Sequence, residues 1–202
     1  MIDIIMVITP IIIAYFLGSL SSSIIVCKLV SLPDPRQQGS GNPGATNVLR
    51  IAGKKYAFIT LACDILKGFV AVMIGKILGL NGFELGLVAL AAFIGHIYPI
   101  YFRFQGGKGV ATLIGGILAL SPILGLMVIL TWIVIAVIFR YSSLAALVAA
   151  ILAPFYAFLI HQPAYFAGIA MMTLLLLWRH RTNIERLRNG TEPKIGSCHS
   201  KN

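Results

Sequence analysis

The stretch G-S-G-N-P-G-A-T-N-V-L-R at residues 39–50 is a polar, glycine-rich segment that separates two long apolar runs. Its glycines permit positive φ angles and a close approach of the backbone to a ligand. Polar side chains lie between and after the glycines, at Ser40, Asn42, Thr46 and Asn47. Successive backbone N–H groups of such a loop can form an anion site, and a guanidinium such as that of Arg50 suits phosphate oxygens. Taken alone, such a segment is more typical of a solvated linker, and the two further polar stretches described below favour the anion site.

The apolar runs on either side of this segment decide the fold class. Of 202 residues, 58% are hydrophobic and 11% charged, and the mean hydropathy is +0.93, which is too apolar for a soluble domain. Several runs approach the roughly 20 residues that a helix needs to cross a bilayer. We therefore predict an all-α, polytopic integral membrane protein with one membrane-embedded domain over residues 1–202, in which 178–202 form a basic segment and tail.

The run boundaries predict about seven transmembrane helices, at residues 4–26, 56–78, 83–101, 110–120, 123–139, 144–160 and 164–178. A polar loop at residues 28–55 joins the first two. The fourth helix is short and could be re-entrant instead. The first run is too long for the apolar region of a signal peptide, so we expect it to be retained.

Positive charge is concentrated in the loops on one side of this predicted topology. The basic residues on that side are Lys28, Arg36, Arg50, Lys54, Lys55, Arg103, Lys108, Arg140, Arg179, Arg181, Arg186, Arg188, Lys194 and Lys201. The other side carries Lys76 with Asp3, Glu84 and His161. The positive-inside rule makes the first side cytoplasmic, with the N-terminus outside and the C-terminus in the cytoplasm. The net charge of +10 then reflects topology and anionic lipid, and we expect no nucleic-acid partner.

A second polar stretch, G-H-I-Y-P-I-Y-F-R-F-Q-G-G-K-G-V-A-T, covers residues 95–112. Gly106, Gly107 and Gly109 surround Lys108 at the start of the fourth predicted helix, where free N–H groups favour an anion. The stretch is not a Walker A loop, because Phe102 stands at the first glycine position and Gly109 at the Ser/Thr position. A lysine that extends to the membrane interface beside a turn is the alternative.

The third polar stretch, W-R-H-R-T-N-I-E-R-L at residues 178–187, is followed by G-T-E at 190–192. If the seventh helix continues through it, His180 and Asn183 share a face at i, i+3. A basic cluster against lipid headgroups is the alternative, and it is our explanation for Arg186 and Arg188. A histidine next to Arg179 and Arg181 is expected to stay neutral.

Residues with other chemistry are few. Asp64 and Lys67 lie within the second predicted helix, where we expect them to pair with each other, with a role in the polar site as the alternative. The three cysteines, Cys27, Cys63 and Cys198, are scattered, and the six acidic residues do not cluster. We therefore expect no disulfide framework, no metal, no cofactor and no acyl-cysteine intermediate.

The three ordered stretches, GSGNPGATN with Arg50, GHIYPIYFRFQGGKGVAT, and WRHRTNIERL with its GTE, closely resemble the bacterial acyl-phosphate:glycerol-3-phosphate acyltransferases, the PlsY family. The resemblance covers nearly the whole chain. It implies a multi-pass enzyme of the bacterial inner membrane that faces the cytoplasm. Such an enzyme transfers a fatty acyl group directly from acyl phosphate to the 1-hydroxyl of sn-glycerol 3-phosphate, giving lysophosphatidic acid and phosphate. This is the first step of phospholipid biosynthesis.

The resemblance also implies the partners: glycerol 3-phosphate, acyl phosphate, membrane lipid and a functional link to the enzyme that makes acyl phosphate. A monomer is compatible with the sequence, and the oligomeric state stays open. A small phosphate or organic-anion transporter and a lipid-binding scaffold are the alternatives from other classes. They predict, respectively, a site at the membrane midplane and effects on headgroup affinity alone.

This chemistry needs charge neutralisation and an oriented hydroxyl. Our candidates for catalysis are Ser40, Arg50, Lys108, His180 and Asn183. The candidates for substrate or phosphate binding are Gly39, Gly41, Asn42, Gly44, Thr46, Asn47, Gly106, Gly107, Gly109, Arg140 and Ser143. Ser40, loop amides and Arg50 are assigned to one substrate phosphate, Lys108 to the developing oxyanion, and His180 with Asn183 to the hydroxyl or leaving phosphate. The base is either His180 or a substrate phosphate.

Overall fold

A computed structural model describes residues 4–196, and within them every regular element is helical. The α-helices are α1 (Ile4–Gly18), α2 (Ser22–Leu29), α3 (Ala45–Ile77), α4 (Gly82–Ile97), α5 (Val110–Leu120), α6 (Pro122–Phe139), α7 (Ser142–Leu159), α8 (Phe166–Arg179) and α9 (Arg181–Arg188). Short 3₁₀ turns lie at Ile100–Phe102 and Pro163–Tyr165. The all-α prediction is confirmed for this part of the chain, whereas Asp3, Cys198 and Lys201 lie outside the described residues.

Four helical segments are long and apolar enough to cross a membrane: Ala45–Ile77, Gly82–Phe102, Pro122–Phe139 and Ser142–Leu159. Helices α1 and α2 make a fifth if they are counted as one bent span, and Val110–Leu120 and Pro163–Arg179 are shorter apolar helices. The outer face of α6 exposes Leu130 and Val137 at 59% and 72%, as a lipid-facing surface does. The chain is a multi-pass membrane protein, and the count of seven spans stays a prediction.

Two predicted boundaries are wrong. The first predicted span is not one helix, because α1 ends at Gly18 and α2 begins at Ser22 with a bend of 41° between them. The predicted loop at residues 28–55 is also too long, because α3 begins at Ala45. Gly53, at φ 81° and ψ −178°, produces a kink in α3, so the helical segment before Gly53 runs in a different direction from the membrane-spanning part.

Glycines let the central helices approach closely. A Cβ on Gly18 or Gly95 would collide with backbone atoms of the partner helix in the α1–α4 pair. The same holds for Gly68 and Gly115 in the α3–α5 pair. Small residues at such crossings are the usual means of packing helices in membranes. Helix α4 lies at the centre of the bundle, and its Phe93 and Val88 are fully buried.

The predicted pairing of Asp64 with Lys67 is confirmed, with 2.9 Å between Lys67 Nζ and Asp64 Oδ1. Lys67 also donates to the carbonyl of Leu20 at 2.7 Å, and Ser22 Oγ donates to Asp64 Oδ1 at 2.8 Å. Leu20 lies in the break between α1 and α2, where helical partners for the backbone are missing. The buried ion pair therefore supplies hydrogen bonds that stabilise the break.

Candidate active site

The first polar stretch lies beside the second and beside the start of α7. Arg36, held by Asp34 at 2.6 Å, donates from Nη1 to the carbonyl of Phe102 at 3.2 Å. On the other flank, Thr46 Oγ1 lies 3.5 Å from Ser142 Oγ. These contacts place segments from three separate loops at one end of the bundle.

The second and third stretches meet through Arg179 and Lys108. Arg179 donates from Nη2 to the carbonyl of Gly106 at 2.9 Å and from Nε to that of Gly107 at 3.2 Å. Lys108 Nζ donates to the side-chain carbonyl of Asn183. The polar stretches that the sequence placed on one side of the membrane thus lie together in the structure.

The loop at residues 39–44 is organised by Asn47, which is 1% exposed. Its Nδ2 donates to the carbonyls of Pro35 and Gln38 at 2.8 and 2.9 Å, and its Oδ1 accepts the backbone N–H of Ser40 at 2.9 Å. Both N–H donors of the amide are used, and a Cβ on Gly39, at φ +60°, would collide with Oδ1. We predicted Asn47 and Gly39 as binding residues, but the contacts make them a brace for the loop.

The anion nest predicted in this loop is wrong for three of its amides. The N–H of Ser40 is taken by Asn47, that of Gly41 donates to the Gln38 carbonyl at 3.0 Å, and that of Gly44 to the Asn42 carbonyl at 2.9 Å. What the loop presents outward is the side chains of Ser40, Thr46 and Arg50, which are exposed, and the half-buried Asn42. The N–H groups at the start of α3 add an anion-favouring end.

The glycine turn before α5 is also built differently from the prediction. Gly106 and Gly107 are buried, and Gly107 donates its N–H to the carbonyl of His96 at 3.2 Å. Gly109 begins α5 from φ +88°, and a Cβ there would overlap the ring of Phe93. These glycines allow tight packing of the turn, and the turn's carbonyls bind Arg179. The predicted cradle of amides around an anion is therefore wrong for Gly107.

Lys108 is the half-buried cation at the centre of the site. Burial lowers the pKa of Lys108 most, and the positive charges of Arg186, Arg179 and Arg50 lower it further. The carboxylate of Glu192 opposes them, and the resulting pKa is about 8. The amine is therefore still mostly charged at neutral pH. The charge of Arg50 is the smallest of these contributions to the lowered pKa of Lys108.

Glu192 is a site residue that the sequence analysis did not select. Its carboxylate accepts from Ser143 Oγ at 2.5 Å, from Asn183 Nδ2 at 2.6 Å and from Arg186 Nε at 2.7 Å. Burial opposes the charge of Glu192, but these three hydrogen bonds outweigh it and hold its pKa below the usual range. The G-T-E that trails the third stretch was the available signal. The assignment of Arg186 to lipid headgroups alone is wrong, since Glu192 binds it.

His180 lies at the junction of α8 and α9 and is 3% exposed. The helix ends here at φ −95°, ψ 8°, so the condition for His180 and Asn183 to share one helix face, a continuous seventh helix, is not met, although both side chains are buried. Burial, and then the charge of Lys108, lowers the pKa of His180 to about 4. Nδ1 lies 2.9 Å from the carbonyl of Leu176, which only accepts, so Nδ1 carries the proton and Nε2 keeps its lone pair.

Arg140 and Ser143 are the remaining binding candidates. Among the described contacts, Ser143 is the one of the two that joins the network around Lys108 and Asn183, through Glu192. Arg140 donates from Nη2 to the carbonyl of Ile195 at 3.2 Å, and its own carbonyl accepts the N–H of Ile195 at 2.6 Å. Arg140 therefore holds the segment that carries Glu192. In residues 4–196, no group of three or more His, Cys, Asp or Glu side chains is arranged to hold a metal ion.

Known proteins resemble this chain in sequence and in fold. A protein-family model described as glycerol-3-phosphate acyltransferase matches residues 8–190. A glycerol-3-phosphate acyltransferase of Vibrio cholerae serotype O1 is 54% identical over 191 residues, covering 95% of this chain and 91% of the relative. One from Coxiella burnetii is 50% identical over 188 residues, covering 93% and 97%.

Solved structures agree with these relatives. The crystal structure of PlsY (YgiH), an integral membrane glycerol 3-phosphate acyltransferase, in its glycerol 3-phosphate form has a TM-score of 0.89 and 40% identity, covering 94% of this chain and 96% of that one. Its lysophosphatidic acid form gives 0.87 and 39%, with coverage of 94% and 95%. Together with the family match, this shows that the chain belongs to the glycerol-3-phosphate acyltransferase family.

Proposed function

We propose that this protein transfers a fatty acyl group from acyl phosphate to the 1-hydroxyl of sn-glycerol 3-phosphate and releases lysophosphatidic acid and phosphate. The observation that carries the proposal is the convergence of Lys108, Asn183 and His180 with the loop bearing Ser40 and Arg50 at one end of an apolar helix bundle. The solved relatives described in glycerol 3-phosphate and lysophosphatidic acid forms support the acceptor and the product.

The reaction forms one bond and breaks one. The 1-hydroxyl oxygen attacks the acyl carbonyl carbon, the new ester C–O bond forms, and the C–O bond to phosphate breaks with its electron pair leaving on phosphate. Because phosphate is a good leaving group, the protein has chiefly to orient the hydroxyl and to stabilise the negative charge on the carbonyl oxygen. The hydroxyl proton goes to the leaving phosphate or to Nε2 of His180.

Each cation near the centre has a distinct place in this scheme. The ammonium of Lys108, at the end of an apolar bundle and beside Asn183, is placed to stabilise the oxyanion and the phosphate next to it. In this scheme Arg50, the exposed hydroxyl of Ser40 and the N–H groups at the start of α3 bind the phosphate of the other substrate. Asn42, Gly44 and Thr46 border that position.

His180 and Glu192 organise the reacting hydroxyl. A buried neutral imidazole with a free Nε2 can accept a hydrogen bond from the 1-hydroxyl of the acceptor. Glu192 fixes Asn183 and Arg186, so that the Asn183 carbonyl is turned toward Lys108. The carboxylate thus acts through its neighbours in this scheme.

We further propose that the site faces the cytoplasm from the bacterial inner membrane, with the N-terminus outside. The basic loops that contain Arg36, Arg50, Lys108 and Arg179 meet at one end of the bundle, whereas Gly82 approaches Ala164 at the other. Positive charge in short loops favours the cytoplasmic side. Polar stretches confined to one end, instead of the midplane, also count against the transporter alternative.

The experiment is release of inorganic phosphate by purified protein in lipid, given palmitoyl phosphate and glycerol 3-phosphate with EDTA present. We expect release that needs both substrates and that falls about 10²–10³-fold in Lys108→Ala. Lys54→Ala, which removes an exposed lysine, is the matched control and should keep full activity. Phosphate release independent of glycerol 3-phosphate, or equal activity in the two variants, would contradict the proposal.

A further inference from the structure

The imidazole of His96, near the end of α4, lies between three parts of the structure and is 7% exposed. Its Nδ1 is 3.6 Å from Asp64 Oδ1, beyond hydrogen-bond distance, and is buried without a hydrogen-bond partner among the described residues. On the opposite edge, Nε2 lies where a side chain on Gly107 would be. A Cβ on Gly107 would also lie 2.9 Å from the carbonyl oxygen of Pro43. The ring thus lies between the membrane-embedded Asp64 and the turn at Gly107, and Gly107 in turn lies beside the loop that carries Pro43.

The Asp64 side of His96 is rigidly fixed. Asp64 is held by Lys67 at 2.9 Å and by Ser22 at 2.8 Å, and Lys67 is held in turn by the carbonyl of Leu20. The side chains of Asp64, Lys67 and Ser22 are all buried. Moving Asp64 would leave a buried charge without a partner, which is costly, so the carboxylate beside this edge of the ring has a fixed position.

The loop side of His96 has no free space. The carbonyl of His96 accepts the N–H of Gly107 at 3.2 Å, and a Cβ on Gly106 would collide with that same carbonyl. Arg179 holds the two glycine carbonyls from the other direction. Lys108 follows Gly107 directly in the chain, so the close approach of the ring to Gly107 lies one residue from Lys108.

We propose that His96 is a positioning residue for the acyl transfer, transmitting the fixed position of the Asp64–Lys67 pair to the turn at residues 106–108. Through that turn it sets the ammonium of Lys108 at Asn183. His96 itself touches no reacting atom. The inference rests on the proposed function, because it concerns where Lys108 stands during the reaction.

The test compares His96→Ala, His96→Gln and His96→Asn in the phosphate-release assay, with folding followed by thermal melting in detergent. A glutamine amide reaches the place of Nε2 and an asparagine amide that of Nδ1. We expect His96→Ala to lower kcat about 10–100-fold with little change in KM for glycerol 3-phosphate, because a displacement of about 1 Å costs that much in a catalytic group. His96→Gln should recover most of kcat, and His96→Asn should not.

A double-mutant cycle with Gly107→Ala tests the contact itself. The added methyl collides with the ring, so the two changes act on one contact, and the loss in the double variant should be smaller than the product of the single losses. His161→Ala, at the far end of the bundle, is the control and should stay within about twofold.

The outcomes separate the two proposals. A wild-type kcat in His96→Ala, equal losses in the Gln and Asn variants, or multiplicative losses in the cycle would overturn the positioning role while wild-type turnover leaves the proposed function intact. If His96→Ala does not fold, the Gln and Asn pair decides alone. A wild-type protein without acceptor-dependent phosphate release would overturn the proposed function and this inference with it.

Discussion

The membrane-embedded cluster around Asp64 and the site around Lys108 are both buried polar networks, but they differ in charge balance. Asp64 and Lys67 neutralise each other at 2.9 Å, and the neighbouring polar groups complete their hydrogen bonds. Around Lys108, the charges that contribute most to its lowered pKa within the described residues are those of three arginines, and the carboxylate of Glu192 opposes them. A balanced pair is typical of structural stabilisation, whereas a surplus of cations indicates a place for anionic substrates.

The largest expected effect breaks the balanced cluster. Asp64→Ala leaves the buried charge of Lys67 without its partner and should reduce the free energy of unfolding by about 3–5 kcal/mol. The double variant Asp64→Ala/Lys67→Met removes both charges and should recover most of that loss. Thermal melting in detergent measures both. Equal instability of the single and double variants would show that the pair is not a mutually neutralising unit.

The next effect concerns the carboxylate of the unbalanced site. Glu192→Gln keeps the size of the side chain but removes the charge that holds Ser143, Asn183 and Arg186. We expect kcat/KM to fall about 10–100-fold, corresponding to the loss of charge-assisted hydrogen bonds worth about 1.5–3 kcal/mol. Steady-state phosphate release measures this, and Glu185→Gln, on the outward side of α9, is the control. A wild-type value in Glu192→Gln would remove Glu192 from the site.

The pH dependence sharpens the comparison through Lys108. Its pKa of about 8 means that the charged form is lost as pH rises through that value. If the ammonium is required, kcat should be flat from pH 6 to about 7.5 and fall about tenfold per unit well above pH 8. In Lys108→Arg, the residual activity should lose this alkaline limb, because a guanidinium stays charged. The same limb in both proteins would assign it to another group.

The smallest effect separates two arginines on α9. Arg186 binds Glu192 at 2.7 Å, whereas Arg188 is exposed at the border of a surface cleft with Arg181 and Asn189. Because the Arg186 side chain is 40% exposed, we expect Arg186→Ala to lower kcat/KM only about 3–10-fold. Arg188→Ala should stay within about twofold of the wild type. Equal losses in the two variants would indicate that both arginines act only through general contact with lipid headgroups.

Apolar runs were sufficient to predict most helices, including α5, whose bounds at residues 110 and 120 match the prediction. Residues 45–52 were missed as helix because their polar side chains look like a loop, and helicity there depends on Gly44 and Gly53 at its ends. The break after Gly18 depends on Lys67 from another helix, which no local pattern reveals.

Site residues could be predicted where a reactive or charged side chain stands next to an apolar run. They could not be predicted where only contacts in the folded protein give a residue its role. Lys108, His180 and Asn183 were found because rare polar groups beside apolar runs need a function. Asn47 was taken as a ligand because composition does not distinguish a ligand from a loop brace. Glu192 was missed because its hydrogen bonds to Asn183 and Arg186 depend on how the chain turns back after α9. His96 was missed because Asp64 lies far away in the sequence.

The most direct test of the central claim identifies the product and its donor. Purified protein in liposomes would receive glycerol 3-phosphate with either palmitoyl phosphate or palmitoyl-CoA, and mass spectrometry would follow lysophosphatidic acid. The proposed acyl-phosphate donor predicts 1-palmitoyl product from palmitoyl phosphate and none from palmitoyl-CoA. The positive charges around Lys108 predict a loss in Lys108→Ala but not in Lys54→Ala. Product from palmitoyl-CoA alone, or none from either donor, would contradict the account.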